Sequence, residues 1–216
     1  MFHEVDIVGL IHYVTFKGQE VIPLVNHFNR VSGWVSTEIV IQPNLRKRAF
    51  VLRRFVNLAE KLLELQNYNG FLEVLAGLSN VSVARLKKTW KASKAKRRVN
   101  ELEVIMDNRK NYSNYRQRLK ESTGAQLPYF GVYLRDLTIT HVGNELHIKN
   151  SQGQDLVNME KFYLMHKITH DLEHYQQLTY NIQEDARVAH LLQNLEIISD
   201  ENLYQQSLLC EPTQEW

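Results

Sequence analysis

Apolar residues recur every three or four positions along most of the chain. Residues 20–42 carry Leu24, Phe28, Val31, Val35 and Ile39 at that spacing, which predicts an amphipathic helix. Pro23 falls in its first turn, where a missing N–H costs little, and Pro43 ends it. Residues 44–66 repeat the pattern through Leu45, Ala49, Leu52, Phe55, Ala59 and Leu62. Their other side holds Arg46, Lys47, Arg53, Arg54 and Lys61, as a helix with one wet face requires. Asn69 reads as the N-cap of a short apolar helix through Leu78. Ser79 or Asn80 caps the next, which presents Val83, Leu86 and Trp90 on one side.

Val99, Leu102, Ile105 and Met106 mark another helix, and Tyr112, Tyr115 and Leu119 a shorter one. Residues 124–128 read as a break. Residues 128–140 are apolar and fit helix or strand by pattern alone. Residues 143–153 are polar and punctuated by glycine, a loop or small hairpin. Residues 157–180 predict a long amphipathic helix carrying Phe162, Met165, Ile168, Leu172 and Tyr175. Val188, Leu191, Leu192 and Leu195 mark the penultimate helix, and Ser199 caps a last one with Leu203 and Leu208. No repeat and no dividing linker appears, so the pattern predicts one all-α domain over residues 1–216.

Composition leaves that picture intact. With 44% hydrophobic and 23% charged residues, the chain has the make-up of an ordered globular protein. Its net charge of +2 demands neither nucleic acid nor membrane. The one cysteine, Cys210, excludes an intrachain disulfide and suits a reducing, cytoplasmic setting. The start, with Glu4 and Asp6, does not read as a signal peptide, and no apolar run approaches the ~20 residues of a membrane helix.

Covalent chemistry is not advertised. The chain lacks the phosphate-cradling glycine loops and the zinc-protease motif, and no cysteine cluster is available for zinc. We expect no cofactor and no metal. His166, His170 and His174 recur every four residues beside Asp171 and Glu173, a spacing at which two can share a metal. The apolar stripe of that helix is complete without them, so a solvated flank is the simpler reading. Lys87, Lys88, Lys91, Lys94, Lys96, Arg97 and Arg98 follow Arg85 in a basic run. Interleaved aromatics for base stacking are missing apart from Trp90, which argues against nucleic acid. An anionic membrane or an acidic protein face suits the same charges better.

Several segments together go further. Residues 27–35 read HFNRVSGWV, residues 65–74 LQNYNGFLEV, residues 83–90 VARLKKTW, and residues 128–137 PYFGVYLRDL. Residues 157–161 read VNMEK, and residues 203–212 end the series as LYQQSLLCEP. In order and spacing, from about Val21 to Pro212, these resemble the catalytic domain of Ras guanine-nucleotide exchange factors.

The resemblance implies a bowl-shaped helical domain with a protruding helical hairpin at about residues 128–169. The hairpin pries open switch I of a Ras-family GTPase while the bowl floor holds switch II, and nucleotide leaves without any covalent step. The turn falls near Gly143 and Asn144. Arg135, Thr138, Val142 and Asn144 match the positions that crowd the magnesium and phosphate sites. Relatives commonly carry Glu where this chain has Val142; valine can exclude water but accepts no hydrogen bond. Val25, Asn26, Leu72, Tyr112 and Tyr129 match the floor, an apolar pocket with a polar rim. The expected partner is a Ras or Rap protein ahead of Ral, and the rival expectation is a scaffold that binds without exchange. The resemblance also implies one or two helices ahead of Glu4 in family domains.

Overall fold

The computed structural model describes residues 7–16, 19 and 21–212. Helices dominate them: α1 (Ile7–Phe16), α2 (Ile22–Val40), α3 (Leu45–Glu64), α4 (Tyr68–Ser79), α5 (Val81–Ala84) and α6 (Lys87–Ser93). There follow α7 (Lys96–Glu103), α8 (Ser113–Glu121), α9 (Phe130–Gly143), α10 (Met159–Gln176), α11 (Ala186–Gln193) and α12 (Asp200–Cys210). Two 3₁₀ turns, Val104–Met106 and Asn108–Lys110, lie between α7 and α8. The strands β1 (His147–Lys149) and β2 (Asp155–Val157) pair antiparallel, with Ile148 opposite Leu156. The all-α class expected from the pattern is the class observed, and residues 128–140 resolve to helix. Among the described residues no helix is long and apolar enough to cross a membrane.

The chain forms two compact units. The first takes Met1–Val25 and Gly124–Tyr180. Its core joins Leu10 of α1, Val21, Phe130, Tyr133 and Leu137 of α9, and Met165 and Leu172 of α10. Positions 130, 133 and 137 are three and four apart, so α9 turns one stripe inward. Helix α1 lies on residues where the sequence reading placed no element. On α10, Met165 and Leu172 are buried as expected, but Phe162 is 45% exposed. It sits in the first turn beside the exposed Met159 and Tyr163, ahead of the stretch that enters the core.

The second unit takes Asn26–Thr123 and Asn181–Trp216. Helix α3 packs against α4 and α6, burying Ala49, Leu52, Phe55, Val56 and Ala59. Helices α2 and α4 meet at Gly77, where a Cβ would lie 2.6 Å from the Ser32 carbonyl oxygen. Only glycine permits that approach, and the Ser36 hydroxyl donates to the Gly77 carbonyl at 2.9 Å.

Caps correct two boundaries. Asn67, not Asn69, caps α4: its Oδ1 accepts from the Gly70 amide at 2.8 Å. Asn69 lies two residues too late, inside the helix, and donates instead to Glu73. Asn80 does cap the next helix, accepting from the Ser82 amide at 2.9 Å, but that helix is two. The backbone leaves helical geometry at Leu86 (φ −76°, ψ 69°), separating α5 from α6. The Trp90 indole N–H bridges the break by donating to the Val83 carbonyl at 3.0 Å. Ser199 caps α12 as expected. Helix α11 buries none of its residues, so its apolar stripe, including Val188 and Leu191, faces out. It is tied by the Arg30 guanidinium, which donates to the Gln193 carbonyl at 2.8 Å. Glu20, the expected start of α2, lies outside the described residues.

The end of α12 closes the second unit. Arg85 donates to the Ser207 carbonyl at 2.7 Å. Glu211 accepts from the Lys88 amide at 2.8 Å, supplying the cap that α6 lacks locally. Arg48, 2% exposed, donates to the Gln42 and Pro43 carbonyls and to the Thr89 hydroxyl.

Candidate functional site

In the first unit, the inward stripe of α9 turns the other side to solvent. Arg135, Thr138, Ile139 and Val142 are all exposed, Val142 at 78%. The sequence-predicted residues Arg135, Thr138 and Val142 are therefore brought to one side of one helix. The Thr138 hydroxyl turns back to the Leu134 carbonyl at 2.7 Å. Asn144 plays a different part. It is half-buried, caps α9, and donates through Nδ2 to the Thr140 carbonyl at 2.9 Å.

The turn after α9 is fastened from inside by residues to which the sequence reading gave no role. Lys161 is 5% exposed, and its ammonium donates to the carbonyls of His141 and Asn144, both at 2.9 Å. A cation at the C-terminal end of α9 is where the helix dipole favours one, and it satisfies carbonyls that have no partner within the helix. Asn158 caps α10 and donates to the Glu145 carbonyl at 2.9 Å, while its own amide donates to the Leu146 carbonyl at 2.9 Å. The VNMEK segment thus closes the base of the α9–α10 connection. The available signal was a lysine three residues after a capping asparagine.

Tyr129 is the N-cap of α9 and is half-buried. Its ring lies over Gly131, where any Cβ would collide with the phenol. Val25 and Asn26 sit exposed near the start of α2, on either side of the boundary between the units.

In the second unit, Leu72 lines a groove of about 500 Å³ with Leu75, Val104 and Met106 on its apolar side. Asp107 and Arg109 form its polar rim. The Arg109 guanidinium and amide bond the Asp107 carboxyl and hold it down at about 2, so the rim carries a fixed ion pair. Tyr112 does not line this groove. It opens α8, which packs on the 3₁₀ turn forming one groove wall, and Asn114 donates to the Val104 carbonyl at 2.9 Å. Asn111 and Tyr112 are both left-handed, at φ 49° and 56°. That conformation is costly for a tyrosine and marks a position fixed by its surroundings.

Behind Leu72, Glu73 is 5% exposed. Burial pushes its carboxyl up to about 7, against the opposing hydrogen bond from Asn69 at 2.8 Å. Among the described residues no group of three or more His, Cys, Asp or Glu is placed to hold a metal ion. The rings of His166 and His170 lie 5.7 Å apart, and His170 faces Glu173 at 3.5 Å.

The family model described as the RasGEF domain matches residues 1–163. Ras guanine nucleotide exchange factor P of Dictyostelium discoideum is 32% identical over 199 residues, covering 91% of this chain and 13% of that protein. Ras guanine nucleotide exchange factor M of the same organism is 34% identical over 162 residues, 74% of this chain and 17% of its own length. Ras-specific guanine nucleotide-releasing factor 1 of Mus musculus is 32% identical over 189 residues, 86% of this chain and 15% of that protein. The chain thus spans less than a fifth of these relatives. A family match over three-quarters of the chain, agreeing with the motifs carried by α2, α4, α6 and α9, has one reading: the chain belongs to the RasGEF domain family.

Proposed function

We propose that this chain catalyses guanine-nucleotide exchange on a Ras-family small GTPase, residues 1–216 acting as one catalytic domain and residues 128–169 as its wedge. The observation that carries the reading is the exposed side of α9. Arg135, Thr138 and Val142 stand together there, on a helix whose end is fastened by the buried Lys161. A rigid helix can displace a switch segment sterically, and it needs no catalytic group to do so. Asn144 holds the turn. Val25, Asn26, Leu72, Tyr112 and Tyr129 make the remaining contacts with the GTPase, the aromatic and aliphatic members serving as anchors.

Nucleotide held at nM to pM affinity is bound by roughly 12–16 kcal/mol and leaves slowly. An exchange factor accelerates release by binding the nucleotide-free GTPase better than the loaded one. Release of fluorescent GDP from a panel of Ras, Rap and Ral proteins tests the proposal, with acceleration expected for Ras or Rap first. No acceleration on any of them removes it.

Val142 favours a second reading. It accepts no hydrogen bond at a position where a carboxylate competes for the nucleotide's ligands, which suits a scaffold that binds a GTPase or adaptor without exchange. Stable binding to loaded GTPase at an unchanged release rate selects that reading.

A further inference from the structure

Charge in the second unit is segregated more sharply than the net value suggests. Residues 39–59 contain no Asp or Glu, and neither do residues 74–100. These two stretches hold α3 up to Ala59 and all of α5 and α6. Helices α3 and α6 pack along one another, and the Arg48–Thr89 hydrogen bond closes their inner seam. Their outer sides are left to solvent.

On α3 that outer side has a particular layout. Phe50 is 54% exposed. Arg46 and Lys47 precede it by four and three positions, and Arg53 and Arg54 follow it by three and four, all exposed. Those offsets place four cations around one exposed ring on a helix surface. Lys88 and Lys91 on α6 and Lys94 at its C-cap succeed one another at intervals of three and are exposed as well. Several other cations of the unit have carboxylate partners: Lys61 at the end of α3 with Glu64, Arg97 with Glu101, and Arg98 with Glu60. Among the described residues, Arg46, Lys47, Arg53 and Arg54 of α3 and Lys88, Lys91 and Lys94 have no carboxylate within ion-pair distance.

We propose that the outer side of α3 and α6 is a docking surface for an anionic lipid bilayer, with Phe50 entering the interface and the flanking cations meeting lipid headgroups. Charge complementarity selects the anionic surface, and an exposed ring at the centre of the cations selects a bilayer over a polyanion. A polyanion without bases rewards the charges alone, and α3 offers a nucleic acid no second exposed aromatic for stacking, whereas a bilayer interface takes up a single ring. Each Lys or Arg near an anionic membrane strengthens partitioning roughly fivefold, so a cluster of this size suffices for reversible recruitment. The inference is independent of exchange activity.

Co-sedimentation of the full chain with vesicles tests it. We expect binding to phosphatidylcholine vesicles containing phosphatidylserine, little to phosphatidylcholine alone, and loss of binding in high salt. Replacing Arg46, Lys47, Arg53 and Arg54 by Gln is expected to weaken partitioning at least tenfold. Replacing Arg118, Lys120, Lys149 and Lys167 by Gln, an equal charge loss elsewhere, is expected to change it less than threefold. Phe50→Ser is expected to weaken vesicle binding several-fold while leaving heparin binding unchanged. Circular dichroism checks that each variant keeps its helicity, and Phe50→Ser retains every charge. Absence of phosphatidylserine-dependent binding overturns the proposal. So does equal loss for both sets of four, or binding to heparin or RNA without binding to vesicles.

Discussion

The Glu211 carboxylate closes on Thr89, where one oxygen accepts from the Thr89 amide at 2.8 Å and from its hydroxyl at 2.7 Å. The same hydroxyl accepts from buried Arg48 at 2.9 Å, and the guanidinium lies 3.8 Å from the carboxylate. One side chain thus caps α6 and balances a buried cation. Removing it as Glu211→Ala strands both, and we expect a loss of about 2–4 kcal/mol. Urea denaturation measures this. A loss under about 0.5 kcal/mol would show that the network is not holding the unit.

Lys161 fastens the α9–α10 connection by donating to two carbonyls. Lys161→Met keeps much of the stem and leaves those carbonyls without their donor. The expected cost is about 1–3 kcal/mol. Backbone amide exchange is expected to rise at residues 143–146 more than in α3. Unchanged protection in the turn would contradict the fastening role. Under the exchange reading, GDP release by this variant slows as well.

Glu73 couples stability to pH. Its carboxyl titrates at about 7 in the folded chain against 4.5 in the free side chain. Between those values the folded state holds a proton that the unfolded state has lost. Stability therefore falls as pH rises from about 4.5 to 7, and the penalty persists above. Glu73→Gln keeps an acceptor for Asn69 and removes the titration. It is expected to flatten this part of the profile and to raise stability at pH 8 by about 1–2 kcal/mol. Parallel pH–stability curves for both proteins would exclude Glu73 as the source.

The functional proposal predicts opposite outcomes at two positions. Val142→Glu, at a side chain 78% exposed on α9, costs no core packing and is expected to raise the rate of GDP release. Leu72→Glu charges the apolar wall of the groove and is expected to weaken GTPase binding at least tenfold, with helicity retained. Binding titrations and circular dichroism decide the second point. Unaltered affinity would remove Leu72 from the contact surface.

Much of the fold was legible because α2, α3 and α10 are long enough for a 3.6-residue period to dominate. Their boundaries were set by local chemistry at Pro43 and Asn158. Where two chemically equal caps stood close together, as at Asn67 and Asn69, sequence gave no basis for choosing. The Leu86 break was hidden because Val83 and Trp90 still fall on one stripe. Their bond across the break depends on burial. Outward placement of Arg135, Thr138 and Val142 follows from the buried stripe of α9. The part played by Lys161 does not, because a lysine reads as solvated until its environment is known. Glu211 was equally opaque, since its partners lie more than a hundred residues away.

The alternation of the two units along the chain has a consequence for how it is made. Leu10 on α1 shares a core with Phe130 on α9, so synthesis of roughly 120 further residues separates the first helix from its packing partner. At about 5–20 residues per second that is an interval of roughly 6–24 s. During it, the whole of 26–123 emerges and can begin to assemble. An early helix left waiting on the ribosome is a natural client for a chaperone, and a slower ribosome lengthens its wait.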